Sequence, residues 1–234
     1  MLGATPATTS HKFATGLEYH GEVQNQRFHG KGKLVFPNGD VFEGEFREGK
    51  MHGKGTLLSN LGDVYEGEFL NGFKHGLGSM SYSSGVRYEG QWAYNQWSGR
   101  GKLTEKSGDT YEGEFAEGLR CGVGKCTYAD GVRYEGYWSN NLPDKGELFL
   151  KDGTHFEGEW KDARYSGVGM IWFTNGDIYE GEWREHKMHK FGQMTYKGRG
   201  VYKGEWVQGK RQGHGVMQFL NGDSYDGFWF DDKR

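Results

Sequence analysis

Pairs of glutamates that stand two residues apart are the feature of this sequence best suited to chemistry. Three of them are Glu43/Glu45, Glu112/Glu114 and Glu180/Glu182. In a β-strand both carboxylates of a pair lie on one face, with Cα atoms about 7 Å apart. Such a spacing would suit a two-carboxylate hydrolase. The pair recurs along the chain, however, and catalysis needs one differentiated site. We therefore interpret the glutamates as a solvated or cross-strand-paired acidic face and predict no catalytic residue.

Histidines could bind a metal ion, and four of them precede a Gly-X-Gly segment or its equivalent. They are His29, His52, His75 and His189. Successive members are expected two strands apart, near 10 Å, whereas each zinc ligand must place its nitrogen about 2.1 Å from the metal. His186 is closer in sequence to His189, but no third ligand stands nearby. The sequence therefore predicts no metal site.

The Gly-X-Gly segments, such as Gly53-Lys54-Gly55, could cradle a phosphate group. Phosphate loops usually place a helix N-terminus behind the anion, and no helical pattern follows these glycines. We predict instead that each segment is a tight bend between two hairpins, and we predict no cofactor.

These residues belong to a repeat that covers nearly the whole chain. The phrase aromatic-X-Gly begins at ten positions: Tyr19, Phe42, Tyr65, Tyr88, Tyr111, Tyr134, Phe156, Tyr179, Tyr202 and Tyr225. The spacing is 23 residues throughout, except for one of 22 between Tyr134 and Phe156. An apolar residue stands eight positions before every aromatic from Phe42 onward, which predicts a core position. Cys126 fills this position once, so we expect a small buried hydrophobe there.

Each repeat is predicted to form one β-hairpin, because glycines divide its 23 residues into runs of about five or six, which suit two short strands and leave no room for a pair of helices. Within Tyr-Glu-Gly-Glu-Trp, the rings lie on one face and can close over the glycine between them. A three-residue loop at Pro37-Asn38-Gly39 places Leu34 opposite Phe42 and keeps the apolar residues together. Stacked hairpins then form an all-β, elongated, single-layer twisted antiparallel sheet.

Composition excludes several classes of protein. The 234 residues include 42 Gly but only 3 Pro, and aromatic residues make up 16% of the chain. The net charge of −3 argues against an electrostatic nucleic-acid binder. No run is long and apolar enough for a transmembrane segment, and the N-terminus lacks the pattern of a signal peptide. Two cysteines, Cys121 and Cys126, cannot form a disulfide framework. We expect a cytoplasmic location.

The repeats resemble the MORN family (membrane occupation and recognition nexus), whose signature is YEGEW followed by GxxxGxG. The clearest copies span 65–78, 111–124 and 202–215. The resemblance predicts a short flexible arm over residues 1–12 and a repeat domain over 13–234, with nine full repeats and a truncated tenth. It implies a stacked-hairpin fold and a scaffold role in cilia, flagella and membrane junctions. Because repeats occupy the chain, we expect no enzyme.

Departures from the repeat indicate where partners could bind. Lys190 replaces a glycine, and Arg199-Gly200 replaces Gly-Asp. From residue 184 to 211, eight basic residues face two acids, a net charge of +6, whereas the segment 134–182 carries −6. The candidate partner-binding residues are Trp97, taken to be exposed, the basic group Lys187, Lys190, Lys197, Arg199, Lys203, Lys210 and Arg211, and the C-terminal aromatics Phe228, Trp229 and Phe230.

The leading hypothesis is a non-enzymatic scaffold that binds proteins within a cytoskeletal assembly; the ciliary or flagellar axoneme follows from the resemblance alone. The alternative is a peripheral membrane adaptor whose basic repeats bind anionic phospholipids. An open sheet edge at the last strand further predicts a homodimer or strand addition by a partner.

Overall fold

The structure, a computed structural model, describes residues 7–234, and nearly all of them lie in β-strands or in the turns between them. The chain divides into two compact units, which meet in sequence between Leu119 and Arg120. Within the described residues, no helix has the length and apolarity needed to cross a membrane.

The first unit contains ten strands: β1 (Ala7–Lys12), β2 (Glu18–Gln24), β3 (Arg27–Val35), β4 (Val41–Arg47), β5 (Lys50–Leu58), β6 (Val64–Leu70), β7 (Phe73–Ser81), β8 (Arg87–Ala93), β9 (Gln96–Thr104) and β10 (Thr110–Ala116). The second unit contains ten more: β11 (Leu119–Thr127), β12 (Arg133–Ser139), β13 (Leu142–Phe149), β14 (His155–Lys161), β15 (Arg164–Trp172), β16 (Ile178–Arg184), β17 (Lys187–Tyr196), β18 (Gly200–Val207), β19 (Lys210–Phe219) and β20 (Ser224–Trp229). In each unit, every strand pairs antiparallel with the next, which confirms the predicted all-β sheet of stacked hairpins.

The hairpin loop has the predicted length. Leu34 lies directly opposite Phe42. The Phe36 amide donates to the Asp40 carbonyl at 2.8 Å, which leaves Pro37, Asn38 and Gly39 as a three-residue loop. Gly39 closes it with φ of +92°, a conformation that glycine adopts without steric cost.

The predicted bend at Gly-X-Gly is wrong. The chain reverses earlier, at the two-residue turn Glu48-Gly49, where both residues have positive φ and Arg47 pairs with Lys50. Gly53-Lys54-Gly55 lies inside β5, where Gly53 (φ +60°) forms a β-bulge. A left-handed glycine suits both a turn and a bulge, so its presence alone could not distinguish them.

One face of each sheet, here called the aromatic face, carries the repeat aromatics; the other is the reverse face. All nine repeat aromatics from Tyr19 to Tyr202 are buried. Each of the eight from Phe42 to Tyr202 packs edge-on against the ring four residues later, as Tyr65 does against Phe69 at 5.1 Å. The same Tyr65 ring contacts Trp92 of the following repeat, also at 5.1 Å. Cys126 is buried as predicted. Edge-on ring contacts thus link neighbouring repeats within a unit.

Hydrogen bonds also join consecutive repeats at both ends of the strands. At the two-residue turns, the Gly49 amide donates to the Phe28 carbonyl at 2.8 Å. At the three-residue loops, the Asn60 amide donates to Oδ1 of Asp40 at 2.8 Å. This bond, and that from Asn38, hold the pKa of Asp40 below its usual value. Each repeat is thereby fixed to its neighbour at its turns as well as through the sheet.

The 22-residue repeat has a smaller bulge than the others. Tyr137 pairs with Lys145 and Trp138 with Pro143, so only Asp144 is unpaired. In the regular repeat of β6 and β7, two residues are skipped between consecutive pairs. The deletion of one residue therefore shortens the bulge, and the strand ends on both sides of it remain in register.

The N-terminal arm requires a correction. Residues 7–12, predicted to be flexible, form β1 and pair with β2, with Thr9 opposite Gly21. The segment is rich in threonine and serine, and pairing satisfies the otherwise open edge of β2. The rest of the predicted arm, residues 1–6, lies outside the described part of the chain.

Candidate functional site

A row of half-buried side chains lies on the repeat rings of the aromatic face, nine residues after each repeat aromatic. We call it the stacking row: Phe28, Met51, Lys74, Trp97, Arg120, Pro143, Tyr165, Met188 and Arg211. Its members occupy the strand that follows each two-residue turn, and most pair directly with the second ring of the repeat, as Met51 does with Phe46. The row is therefore the outermost layer of the aromatic face.

Three members of the stacking row are aromatic and lie flat on a buried ring. Phe28 stacks on Tyr19 with 3.8 Å between ring centroids. Tyr165 stacks on Phe156 at 3.9 Å and an interplanar angle of 9°. The third member, Trp97, is described separately below. Stacking fixes these side chains in one orientation, so they are preorganised for contact with a ligand.

Trp97 is not the isolated exposed aromatic predicted from the sequence. It is half-buried and stacks on Tyr88 at 4.8 Å and 12°, while its edge contacts Phe115 at 5.8 Å. The same repeat position is also held by large side chains in other repeats, such as Phe28 and Tyr165. The signal that sequence reasoning missed was the column of long side chains nine residues after each aromatic, which is visible once the repeats are aligned.

Three other members of the stacking row are cations. The Lys74 ammonium lies 5.1 Å from the Tyr65 ring and 5.3 Å from that of Trp92. Burial lowers the pKa of Lys74. The Arg120 guanidinium lies 4.8 Å from the Trp138 ring, and that of Arg211 lies 4.2 Å from Trp229. Cation–π contact of this kind gives the aromatic face positive charge at defined points.

The repeat tyrosines serve the fold. The Tyr65 hydroxyl donates to the Glu68 carbonyl at 2.9 Å, and that of Tyr88 to the Gln91 carbonyl at 2.8 Å. Burial raises the pKa of Tyr88 to about 12. At neutral pH these hydroxyls remain protonated, and they donate to carbonyls that stand at the bulge, where the ladder between the strands is interrupted.

The paired glutamates also have structural partners. The second glutamate of a pair caps the bulge: Glu68 Oε1 accepts from the Leu77 amide and Glu159 Oε2 from the Val168 amide, both at 3.4 Å. The first glutamate can pair across the strands, as Glu112 does with Lys102 at 2.6 Å. Two different structural tasks, repeated along the sheet, explain why the pair recurs.

The histidines are distributed as the repeat predicts, with His29, His52 and His75 in β3, β5 and β7. His186 lies in the two-residue turn between β16 and β17, with φ of +67°. Over residues 7–234, no group of three His, Cys, Asp or Glu side chains could hold a metal ion.

The basic candidates do not share one surface. Lys187 and Lys210 lie at the two-residue turns, whereas Lys197 and Arg199 lie in a three-residue loop at the opposite ends of the strands. Lys203, opposite Gln193, is on the reverse face, while Arg211 belongs to the stacking row.

Some of these cations already have partners. Lys190, at the bulge position with φ of +49°, pairs with Glu182 at 2.9 Å. Lys210 pairs with Asp231, and Arg211 with Asp232 at 3.0 Å. The net charge of this segment is thus partly compensated locally and divided among several surfaces.

The C-terminal aromatics divide into two kinds. Phe228 and Phe230 are 75% and 74% exposed. Trp229, predicted to contact a partner, is instead a buried core residue whose indole donates to the Gly215 carbonyl at 3.0 Å. Successive side chains of a β-strand point to opposite faces, so Trp229 lies on the aromatic face while Phe228 and Phe230 lie on the reverse face.

Comparison with known proteins agrees with this architecture. The MORN repeat model matches nine segments: residues 19–41, 42–63, 65–87, 88–110, 111–133, 134–144, 156–178, 179–201 and 202–224. The shortest segment coincides with the 22-residue repeat. No curated protein matches the sequence significantly.

Among solved structures, the chain is similar to the TCP10 domain of CPAP from Danio rerio, solved with a peptide of STIL. The identity is 15% and the TM-score 0.50, over 95% of this chain and 100% of the other. The TCP domain of Drosophila melanogaster SAS-4, solved with a proline-rich motif of Ana2, gives 12% identity and a TM-score of 0.28, over 98% and 97%. At 15% identity the likeness to the first domain concerns the fold. With family matches over most of its length, the chain belongs to the MORN-repeat family.

Proposed function

We propose that this protein is a non-enzymatic scaffold that binds other proteins through the stacking row of its aromatic face. The observation that carries the proposal is the set of half-buried rings at Phe28, Trp97 and Tyr165, each held flat on a buried ring. Rigid aromatic side chains contribute large contact areas at low entropic cost and are common binding hot spots.

The chemistry of the row favours an extended protein segment that carries apolar and acidic side chains. Within the first unit, apolar groups would pack on the stacked rings, and a carboxylate would meet the Lys74 ammonium. A related fold offers a parallel, since the TCP10 domain of CPAP was solved in complex with a peptide of STIL. Membership of the MORN family agrees with a binding role.

The test uses the full chain with a photo-crosslinking amino acid at position 51, within the stacking row, in cells. We expect crosslinked protein partners, and we expect Trp97→Ala combined with Tyr165→Ala to remove them. Val123→Ala, an exposed reverse-face change, is the matched control. Circular dichroism must show that all variants fold. Partners that persist in the folded double variant would exclude the stacking row as the binding surface.

The cellular setting stays a prediction. A cytoskeletal assembly, and the ciliary or flagellar axoneme in particular, follows from the family resemblance, and localisation of the tagged protein in ciliated cells tests it. Anionic liposomes test the alternative of a membrane adaptor. Salt-sensitive sedimentation that is lost on Lys190→Glu, Lys197→Glu and Arg199→Glu would favour the membrane, whereas no binding at physiological salt would exclude it.

A further inference from the structure

The reverse face of β12–β15 carries a second row of stacked side chains, which is separate from the stacking row. Phe149 and His155 stack at 4.4 Å and 9°, and His155 and Trp172 at 4.6 Å and 14°. The Arg133 guanidinium lies 4.2 Å from the Phe149 ring. These four residues are successive cross-strand partners and are half-buried. The second unit therefore presents an apolar surface on both faces of its sheet.

The same row in the first unit has no rings. Its successive partners there are Val35, Val41, Leu58, Val64, Ser81 and Arg87. Because the repeat itself does not require aromatic residues at these positions, the rings of the second unit are a local addition. They do not contribute to the buried core.

Beside these rings, two apolar side chains of β15 are framed by carboxylates. Met170 lies directly between Glu157 and Glu180 across the strands. Val168, which is 60% exposed, pairs with Glu182, and its amide donates to Glu159 Oε2 at 3.4 Å. Carboxylates on neighbouring strands two apart are separated by about 10 Å, so they border the apolar centre on both sides.

Within residues 7–234, the outer carboxylates of this frame lack cations, as do Glu43 and Glu66, whereas Glu89, Glu112 and Glu135 at the equivalent position form ion pairs. Glu135, for example, pairs with Lys125 at 3.1 Å. Glu157 instead faces Glu147, and Glu180 faces Met170. Among the described residues neither Glu157 nor Glu180 forms an ion pair. Like charges directly opposite each other destabilise a sheet, and Glu157 has no partner that offsets its position opposite Glu147, whereas Glu147 Oε2 lies 3.3 Å from His155 Nε2.

We propose that this reverse-face patch binds a cationic protein segment in which lysine or arginine alternates with apolar side chains. The patch comprises Phe149, His155, Trp172, Met170 and Val168 with the carboxylates of Glu157, Glu159 and Glu180. The basic side chains of the segment would pair with the carboxylates, while its apolar side chains cover Val168, Met170 and Trp172. Complementary charge sets the orientation, and burial of the exposed apolar side chains supplies affinity.

The test measures fluorescence anisotropy of a labelled peptide, Lys-Leu-Lys-Trp-Lys-Val-Lys-Phe, with the full chain. Two control peptides replace either the apolar residues by serine or the lysines by glutamate. We expect saturable binding of the first peptide, at least about tenfold tighter than either control, and weakened by added salt. Equal binding of the serine peptide would overturn the proposal, because it would show attraction by charge alone.

Paired variants locate the site. Glu157→Lys with Glu180→Lys should weaken binding of the peptide about tenfold, since it replaces two attractive charge pairs by repulsive ones. Glu43→Lys with Glu66→Lys changes the same repeat positions in the first unit and should have little effect. An equal loss in both double variants, or no loss in the first, would overturn the proposal. Circular dichroism confirms that both remain folded.

A second copy of the chain is the competing occupant, because residues 184–211 carry a net charge of +6. Sedimentation velocity of the chain alone distinguishes the two. Concentration-dependent association that disappears with Glu157→Lys and Glu180→Lys would assign the patch to self-association and overturn the proposed partner. The patch and the stacking row lie on opposite faces, so loss of partners in the Trp97→Ala and Tyr165→Ala variant would leave the peptide result unchanged.

Discussion

The hydroxyl oxygen of Tyr65 lies over the backbone of Gly67, two residues further along the same strand, so closely that a Cβ on Gly67 would stand 2.5 Å from it. The same hypothetical atom would also meet the Cα of Gly78 at 2.5 Å. The ring therefore requires glycine on its own strand and on the next. This explains why the repeat keeps two glycines near its aromatic, although glycine is a poor strand former.

Gly67→Val should destabilise the first unit by about 2–3 kcal/mol, because the added side chain must displace the Tyr65 ring or separate two strands. Thermal and urea unfolding measure the effect. Glu66→Val, an exposed change on the reverse face of the same strand, is the control. An unchanged melting temperature for Gly67→Val would contradict the ring-over-glycine packing.

Tyr65→Phe should cost about 1 kcal/mol, because it removes the hydroxyl bond to the Glu68 carbonyl while keeping the ring. Phe42 occupies the equivalent position in the preceding repeat. Phe42→Tyr should therefore gain a similar amount by reaching the Glu45 carbonyl. Equal stabilities of wild type and both variants in urea would show that the hydroxyl contributes nothing.

Trp160 differs from the other repeat tryptophans, and its replacement should be tolerated. The indoles of five others donate to a glycine carbonyl 14 residues earlier: Trp92, Trp138, Trp183, Trp206 and Trp229. Nε1 of Trp160 is buried without a hydrogen-bond partner, in the strand that follows the shortened repeat.

We expect Trp160→Phe to cost less than about 1 kcal/mol and Trp138→Phe about 1–2 kcal/mol more, because only the second breaks a hydrogen bond and orphans a carbonyl. Urea unfolding of the two variants measures the difference. If both cost the same, the missing bond at Trp160 has no energetic meaning.

Lys74→Met should raise the melting temperature at neutral pH, because methionine occupies the same position in other repeats and avoids burying a charge. The folded pKa of Lys74 is lowered by burial, so the folded state binds fewer protons than the unfolded one between the two pKa values.

The penalty at Lys74 is fully present below the folded pKa and fades as pH rises toward the unfolded value near 10.5. The advantage of Lys74→Met should therefore shrink as the pH rises from neutral toward 10.5. Calorimetry at several pH values measures it, with Met51→Ala as a control whose effect on stability does not depend on titration at this position. A constant advantage across that range would contradict the burial of the charge.

Much of the fold could be predicted because the repeat fixes the strand register. The alternation of side chains between the two faces was enough to place Leu34 opposite Phe42 and to select the three-residue loop. The bulge at Gly53 could not be predicted in the same way, since it interrupts the alternation of side chains on which the reasoning depends. The turn at Asn71-Gly72 did carry a recognisable signal, because Asn-Gly favours a two-residue hairpin turn.

The candidate surfaces were harder to predict than the fold. Trp97 and Trp229 were expected at the surface, but alignment of the repeats places both in the packing of the aromatic face. Trp97 stands nine residues after Tyr88, in the stacking row, and Trp229 stands four residues after Tyr225, where other repeats have a buried second ring. The reverse-face rings at Phe149, His155 and Trp172 come from three different strands. Only the register of those strands brings them together, so they are separated in sequence by a loop and a hairpin.

The hydrogen bonds between repeats reach no further than one hairpin away, as from Asn60 to Asp40 and from Gly49 to Phe28. Within a unit, each repeat thus depends on the repeat before it and the repeat after it. The surface side chains of one hairpin can therefore change during evolution, or a residue can be deleted as in the 22-residue repeat. The structural effect stays within about three hairpins, because each repeat contacts only its neighbours. Because a change in one repeat leaves distant repeats unaffected, the sheet can acquire new binding specificities one repeat at a time.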